Sequence, residues 1–570
     1  MISPHVKNLI ADELNGENCM AHVAEITQYH RSLGSREYHE ACEYVRRYLR
    51  GQNIEVDSLD APLDNKTRIG NYIVPPAWEP RDAIFKVIEP EERVVVTFAE
   101  TPTCINSWSG ATPAGGVTAE LVSVGPGDRD EHYEGRDVRG KICLVEKGYA
   151  WRTHPLAVEK YGALGFVNDD VIAMPPLKTR ETFPDVVMWN TLYERDEEGG
   201  YLKGFGLTIS PRMGDYLRGL LQQGPVKVYA RVETRTFEGI MENPMGRLVG
   251  NTYPQEEILM AAHICHTRPG AIDNAAGCAH ITETLRALHA LVERGDLPRP
   301  KRTILSFYGP EGHHTNVYGA HMEKAGRLSD VMMGLSSHCG GDPEQLHAPL
   351  VLTRTTPARP HYIDDLLTYL LEEVSVQFPA PGPRARTPFS FRVDPRFMGG
   401  DSLQIVAWGI PGIELYRKPN IFWHTQYDTV DKCSPEEFLK VSWVFATAAW
   451  FVANAGPAEA LSLMHNVAAR SMARQSEAAH LAREALLDAG DGNLQTTLDT
   501  RVDLLRYLSE RDSQAIASCE ELVRHDPAEA RDRLATARQA LVTRLERKQR
   551  EEEQDLVAYA RLLRAGRVGG

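Results

Sequence analysis

The chain has 570 residues, 42% apolar and 25% charged, a balance that suits a folded globular protein and argues against long disorder. That length exceeds what one hydrophobic core supports, so roughly two to four folded units are expected. A net charge of -15, with no Lys/Arg-rich stripe interleaved with aromatics, argues against nucleic acid as a partner.

The N-terminus, Met1 to Lys7 followed by Asp12, Glu13 and Asn15, has no basic start leading into an apolar run and does not read as a secretory signal. No window reaches the roughly 18 consecutive apolar residues of a membrane span, so no membrane partner is expected. The nine cysteines are scattered without CxxC pairs, which suits a reducing cytoplasm.

Along the chain, residues 18 to 50 predict helix, with Ala41, Val45, Tyr48 and Leu49 at helical spacing after the Gly34-Ser35 break. From about 85 to 235 short β-branched runs, such as Val94 to Thr97 and Ile142 to Val145, alternate with turn residues and predict a mostly β unit. From about 243 to 455 apolar strands alternate with helical stretches: Ile258 to Ala262 precedes a helix over about 275 to 293, and Thr303 to Tyr308 precedes another. This is the pattern of an α/β layered domain with a largely parallel sheet, which places its sites at the carboxyl ends of its strands. Beyond Gly456-Pro457 the composition becomes rich in Ala, Leu, Arg and Glu, with breaks at Gly490 to Gly492 and Asp526-Pro527, predicting a helical appendage of about four helices. Its run Arg544 to Glu553 reads as a solvated helix face.

Four segments carry residues suited to chemistry. His263 ends an apolar strand, with Cys265 and His266 close behind, and Asp273 enters a helix through small residues ten positions later. Imidazole and carboxylate both suit zinc, although an Asp at a helix start also serves as a cap. Glu311 follows the next apolar strand, where a carboxylate can act as proton shuttle for amide hydrolysis or as a metal ligand. The third segment offers His338, Cys339 and Asp342 as further ligands, with none singled out by spacing. In the fourth, His424 follows aromatic residues, and Asp428 is expected to orient its second nitrogen.

In this order the segments resemble the zinc aminopeptidase family that also contains carboxypeptidase Q, glutamate carboxypeptidase II and animal-type glutaminyl cyclases. The resemblance runs through Arg247 to Gly250, His263, Asp273 to Gly277, Glu311, the 335 to 342 region, Gly400-Asp401-Ser402 with Gly409-Ile410-Pro411, and His424 to Thr429. It implies a zinc-exopeptidase-like α/β fold, a mixed and mostly parallel sheet sandwiched by helices. Residues 1–60 would form the first part of the catalytic domain, 61–240 a β-rich insertion and 241–456 the zinc hydrolase domain. A protease-associated domain would occupy about 105–235, through Val138 to Val145 and Lys160 to Val167. Residues 457–570, the C-terminal helical domain, lie outside the resemblance.

The chain departs from the family pattern in three places. Cys265 stands where an Asp usually orients the first histidine, the Glu-Glu pair is reduced to Glu311, and the strand-end Asp ligand is replaced by His338 or Cys339. The metal set is therefore read as His263, Asp273, Glu311 and His424, with His266, His338, Cys339 and Asp342 as additional candidates. One zinc is expected firmly and a second is allowed, since three protein ligands plus water is the usual catalytic zinc arrangement. Glu311 is either base or ligand, and Asp401, Tyr416 and Arg417 are the expected substrate contacts. The implied activity is hydrolysis of an amide or peptide bond by metal-activated water, with Glu311 as general base. A glutaminyl-cyclase-like acyltransferase and a catalytically silent interaction protein are the alternatives. The C-terminal helices are expected to mediate oligomer contacts or to cover the active-site mouth.

Overall fold

The computed structural model describes residues 1–147, 149–193, 200–343, 348–379, 389–394, 400–490 and 492–568. Asp491, inside the Gly490 to Gly492 break, lies outside them. Two sheets organise the described residues. The larger has eight strands in the order Glu55–Ser58, Pro244–Leu248, Arg302–Gly309, Tyr253–His263, Val331–His338, Gly412–Arg417, Leu350–Thr353 and Phe391–Asp394. Tyr253–His263 runs parallel to both of its neighbours, and Gly412–Arg417 runs parallel to Val331–His338. The near-continuous burial of these central strands is what a parallel sheet covered on both faces demands.

Parallel alignment decides where the chemistry gathers. His263 lies opposite Gly309, two residues before Glu311, and His338 ends the strand on the other side. Three of the segments that carry candidate residues thus open at one end of the sheet, as the strand-end rule anticipates.

The helix Ala276–Glu293 packs across this sheet with its first turn made of Ala276, Gly277, Cys278 and Ala279, all buried. A Cβ on Gly277 would stand 2.4 Å from the Ser337 carbonyl, so the helix approaches that strand as closely as backbone allows. The small residues therefore set the depth at which Asp273 enters the site.

The second sheet has seven strands between Ala77–Glu89 and Lys227–Phe237, with Val117–Gly125, Ile142–Val145, Gly165–Asn168 and Phe205–Thr208 running parallel at one end. It has its own core around Phe85, Leu144, Val167 and Leu207. Its crossovers add the helix Pro211–Gln223 to what the sequence reads as mostly β.

The C-terminal segment forms three long helices among the described residues, Pro457–Asp488, Leu494–Ser518 and Ala528–Val568, with a short 3-10 turn at Cys519–Val523. Where the sequence predicts about four helices, the described residues form three long ones and this turn. The run from Arg544 to Glu553 is not simply solvated: Glu552 meets Arg483 at 2.9 Å and Glu553 meets Arg506 at 2.5 Å on the neighbouring helices.

These helices join the main core. Leu463, Met464, Val467, Ile516, Leu522 and Leu545 belong to the same buried cluster as Ile258, Ile304 and Trp443. A buried ion cluster pins the junction, in which Glu256 accepts from Arg302 at 2.5 Å and from Arg524 at 2.6 Å, while Arg302 also donates to the Leu522 carbonyl at 2.9 Å. No described residue of these helices lines the cleft described below. Removing Glu256 leaves Arg302, 1% exposed, charged and unpaired in the core. The variant Glu256→Ala is expected to lose about 3–5 kcal/mol of stability, read as a fall in the thermal unfolding midpoint.

Candidate functional site

Asp273 lies at the centre of the strand-end cluster, 2% exposed, with an imidazole pair on each oxygen. Its Oδ1 is 3.3 Å from His263 Nε2 and 3.2 Å from His338 Nε2, and its Oδ2 is 3.4 Å from His266 Nε2 and 3.1 Å from His424 Nε2. Glu311 groups with His263 and His338, and stands exposed.

Local structure explains this placement. Asp273 has extended dihedrals (φ -110°, ψ 95°), and the helix after it has no side-chain cap, so the capping alternative does not hold. Asp428 fixes the backbone there, accepting from the Ile272 N–H at 2.8 Å and the Asp273 N–H at 3.0 Å. Asp428 was expected to orient His424; it positions Asp273 instead, because its carboxylate faces these amides. Burial pushes Asp428 up to about 8. Asn274 completes the frame, donating to the Ser337 carbonyl and accepting from the Cys339 N–H.

Three of the four histidines are anchored at Nδ1. His263 Nδ1 is 3.1 Å from the Cys265 carbonyl, His266 Nδ1 is 2.9 Å from the Thr267 carbonyl, and His338 Nδ1 is 2.9 Å from Glu414 Oε1. The Asp that Cys265 replaces is thus substituted by a backbone carbonyl. Anchoring Nδ1 with an acceptor places the proton there and turns the Nε2 lone pair inward, as ligation requires. The loop carrying His266 is clamped by Arg31, whose guanidinium donates to the carbonyls of Ile264, Pro269 and Gly270.

His424 occupies the left-handed region at φ +61°, which few non-glycine residues adopt. Trp423 stacks on its ring at 3.5 Å and Trp189 meets it edge-on at 4.5 Å. Burial pushes His424 down to about 3, so the ring is neutral with its lone pair free.

The remaining cluster has the opposite tendency. Burial opposes charge on His263, yet Glu311 and Asp273 outweigh it and hold its imidazolium well above the ordinary histidine range. Burial opposes charge on His338 too, yet Cys339, Asp273 and Glu414 raise it well above the ordinary histidine range, and the surrounding histidines hold Asp273 far below the carboxylate range despite its burial. The carboxylates here demand positive charge. Two ligand atoms about 2.0–2.1 Å from one zinc at the tetrahedral angle are about 3.3 Å apart. The four nitrogen-to-oxygen gaps around Asp273 span 3.1 to 3.4 Å, and the Nε2 atoms of His263 and His266 are buried with no hydrogen-bond partner. The donor set therefore fits a metal.

Of the other candidates, Cys339 stays with the cluster and Asp342 does not. Cys339 is buried beside His338 and Asp273, its thiol pushed up to about 12 by burial. Asp342 points away, 3.4 Å from Arg417, and burial raises it to about 7. Arg417, expected to meet substrate, is fully buried and donates to Glu437 and to the Ala348 carbonyl. Tyr416 is 5% exposed within the sheet, and Asp401 is buried under the Glu311 turn, accepting the Gly312 N–H at 2.8 Å. None of these three lines the cleft. Tyr416 and Arg417 end the strand Gly412–Arg417, a position that does not reveal which face a side chain takes, and Asp401 opens the helix Asp401–Ala407.

That cleft, about 220 Å³, opens beside His266 and Glu311 and is walled by Trp78, Trp108 and Trp189 of the second sheet's unit. The segment before Trp189 is tied to the His424 loop, Trp189 N–H donating to the His424 carbonyl and Val187 N–H to Gln426 Oε1. Glu414, Trp108 and Trp189 are residues sequence reasoning missed. Glu414 had a signal, a carboxylate inside the apolar strand Gly412–Arg417.

Residues 243–323 match Peptidase family M28. No functionally curated protein matches the chain. Among solved structures it is similar to a Peptidase M28 precursor from Shewanella amazonensis (18% identity, 79% of this chain and 96% of that one, TM-score 0.58). It is also similar to BSAP, a zinc aminopeptidase from Bacillus subtilis (14% identity, 77% and 96%, TM-score 0.57). An aminopeptidase from Aneurinibacillus sp. strain AM-1 aligns over 79% of this chain and 96% of its own at 19% identity and a TM-score of 0.50. The chain thus carries a segment that matches Peptidase family M28 and includes His263, His266, Asp273 and Glu311, and it has the fold of the zinc aminopeptidases.

Proposed function

We propose that this protein is a zinc-dependent hydrolase of amide or peptide bonds, of the aminopeptidase type, with Asp273 shared between two zinc ions. His263 and His338 would hold one ion, and His266 and His424 the other. The single firmly expected zinc is thereby extended to a pair. The observation that carries this reading is that each Asp273 oxygen faces two imidazole Nε2 atoms at 3.1 to 3.4 Å. The zinc named for BSAP, a structure of the same fold, supports the choice of metal.

The bound zinc supplies Lewis acidity toward the scissile carbonyl and the attacking water. Glu311, exposed beside His263 and His338, acts as the base that takes the water's proton and returns it to the leaving nitrogen. Asp401 holds the Glu311 turn through Gly312, and Glu414 fixes the ring of His338.

We read the second sheet's unit as a protease-associated domain, on its mixed seven-stranded sheet. A reducing compartment suits the nine unpaired cysteines, and no described helix is long and apolar enough to cross a membrane.

Metal analysis of the purified protein is expected to give two zinc ions per chain, and His266→Ala one; two ions retained in that variant would refute the assignment. Glu311→Gln should lower kcat by about 10²–10⁴-fold with zinc content unchanged. Glu414→Gln should weaken one zinc by about 10–100-fold in a chelator competition, because His338 loses its anchor.

A further inference from the structure

The cleft beside the histidine cluster is too small to enclose a peptide. At about 220 Å³ it lies below the roughly 300–1,000 Å³ of pockets that take drug-sized ligands, so it holds one side group, and the rest of a peptide leaves over its rim. Ser107 and Thr191 form part of that rim, joined by a backbone bridge, and the Leu192 N–H donates to the Ser107 carbonyl at 3.0 Å. Burial then alternates along the segment. Thr191 lines the cleft, Leu192 is 3% exposed within the unit's own core, and Tyr193 is 51% exposed. Alternate residues of an extended chain face the same side about 7 Å apart, so Tyr193 stands on the cleft side of this segment, one step further out.

Two more rings meet Tyr193 there. Trp151 packs against it with ring centroids 5.6 Å apart at 61°, and Tyr149 lies nearly parallel to Trp151, at 5.6 Å and 21°. The short helix Ala150–His154 that carries Trp151 is seated from beneath: Ala150, Thr153 and His154 are buried, and the Ala150 N–H donates to Asn190 Oδ1 at 3.3 Å. Asn190 follows Trp189, so this helix is fastened to the same segment that walls the cleft. The Arg152 guanidinium lies 4.7 Å from the Trp151 ring centre, and Tyr149 and Tyr193, each 51% exposed, carry the open ring surface. Half-exposed rings contribute little to a core, whereas tyrosines and tryptophans held at a rim offer broad, rigid contact area at low entropic cost.

Resting on the aminopeptidase-type reading, we propose that Tyr149, Trp151 and Tyr193 form a second binding subsite, which takes an aromatic side chain of the peptide on the far side of the scissile bond. In an aminopeptidase the bulk of the substrate lies on that side. The separation of rim and rings places the recognised side chain among the first few residues after the bond.

The test compares the zinc-loaded full chain on Leu-Ala-Ala-Ala and on the three peptides that carry Phe at the second, third or fourth position. At least one Phe peptide is expected to exceed the all-alanine parent in kcat/KM by about fivefold or more, the worth of one aromatic pair. Tyr193→Ala and Trp151→Ala, each checked for an unchanged circular dichroism spectrum, should bring that ratio to within about twofold of one, and Trp151→Phe should keep part of it. The ratio compares two substrates on one protein, so a general loss of structure cancels. Calorimetric titration of the same peptides into Glu311→Gln protein gives a readout apart from turnover: the preferred Phe peptide should bind about fivefold more tightly than the parent, and the added Tyr193→Ala substitution should abolish the gap. Equal kcat/KM across the four peptides, or a ratio that stays unchanged in either alanine variant, overturns the inference. Failure to cleave any of them would count against the hydrolase reading instead; the titration then decides the subsite, and equal affinities overturn it.

Discussion

Asp273 is a carboxylate almost without solvent, and its two oxygens each face two imidazoles drawn from separate parts of the chain. Burying such a charge is costly unless positive groups and hydrogen bonds surround it. The surrounding structure meets that demand in layers. Asp428 and Asn274 hold the backbone around Asp273, Gly277 lets the following helix come close enough to deliver it, and Glu414, the Cys265 carbonyl and the Thr267 carbonyl set three rings. Arg31 fixes the loop that carries His266, and Trp423 and Trp189 pack on the fourth ring, His424.

Around Asp273 the chain gathers four imidazoles within a fold shared with zinc aminopeptidases. Glu311 has no second acidic residue in its own turn, which suits it to proton transfer.

The second sheet's unit takes part in the site directly. Its Trp189 donates a backbone bond to the His424 carbonyl and packs on the His424 and His266 rings, so the segment that walls the cleft also steadies two histidines. His424 is held at a positive φ by contacts on both sides of its ring, a strained conformation that persists because the surroundings over-determine it. Cleft shape and histidine placement are therefore coupled through one short stretch of chain.

The sequence by itself determined the alternation of apolar strands and helices, the strand-end position of His263, Glu311 and His338, and the need for small residues ahead of Ala276–Glu293. These follow from periodicity and composition, which are local. It left His338, Cys339 and Asp342 undivided, and it set Asp401, Tyr416 and Arg417 at the surface of the site. Only the tertiary structure separated them, because a strand's register and the facing of a loop depend on neighbours far away in the chain: Arg417 turns into a buried network with Glu437, and His338 turns toward Asp273. His266 gained its place through a loop clamped by Arg31, a contact across 235 positions that no local pattern encodes, and the tryptophan wall came from a unit folded around a different core.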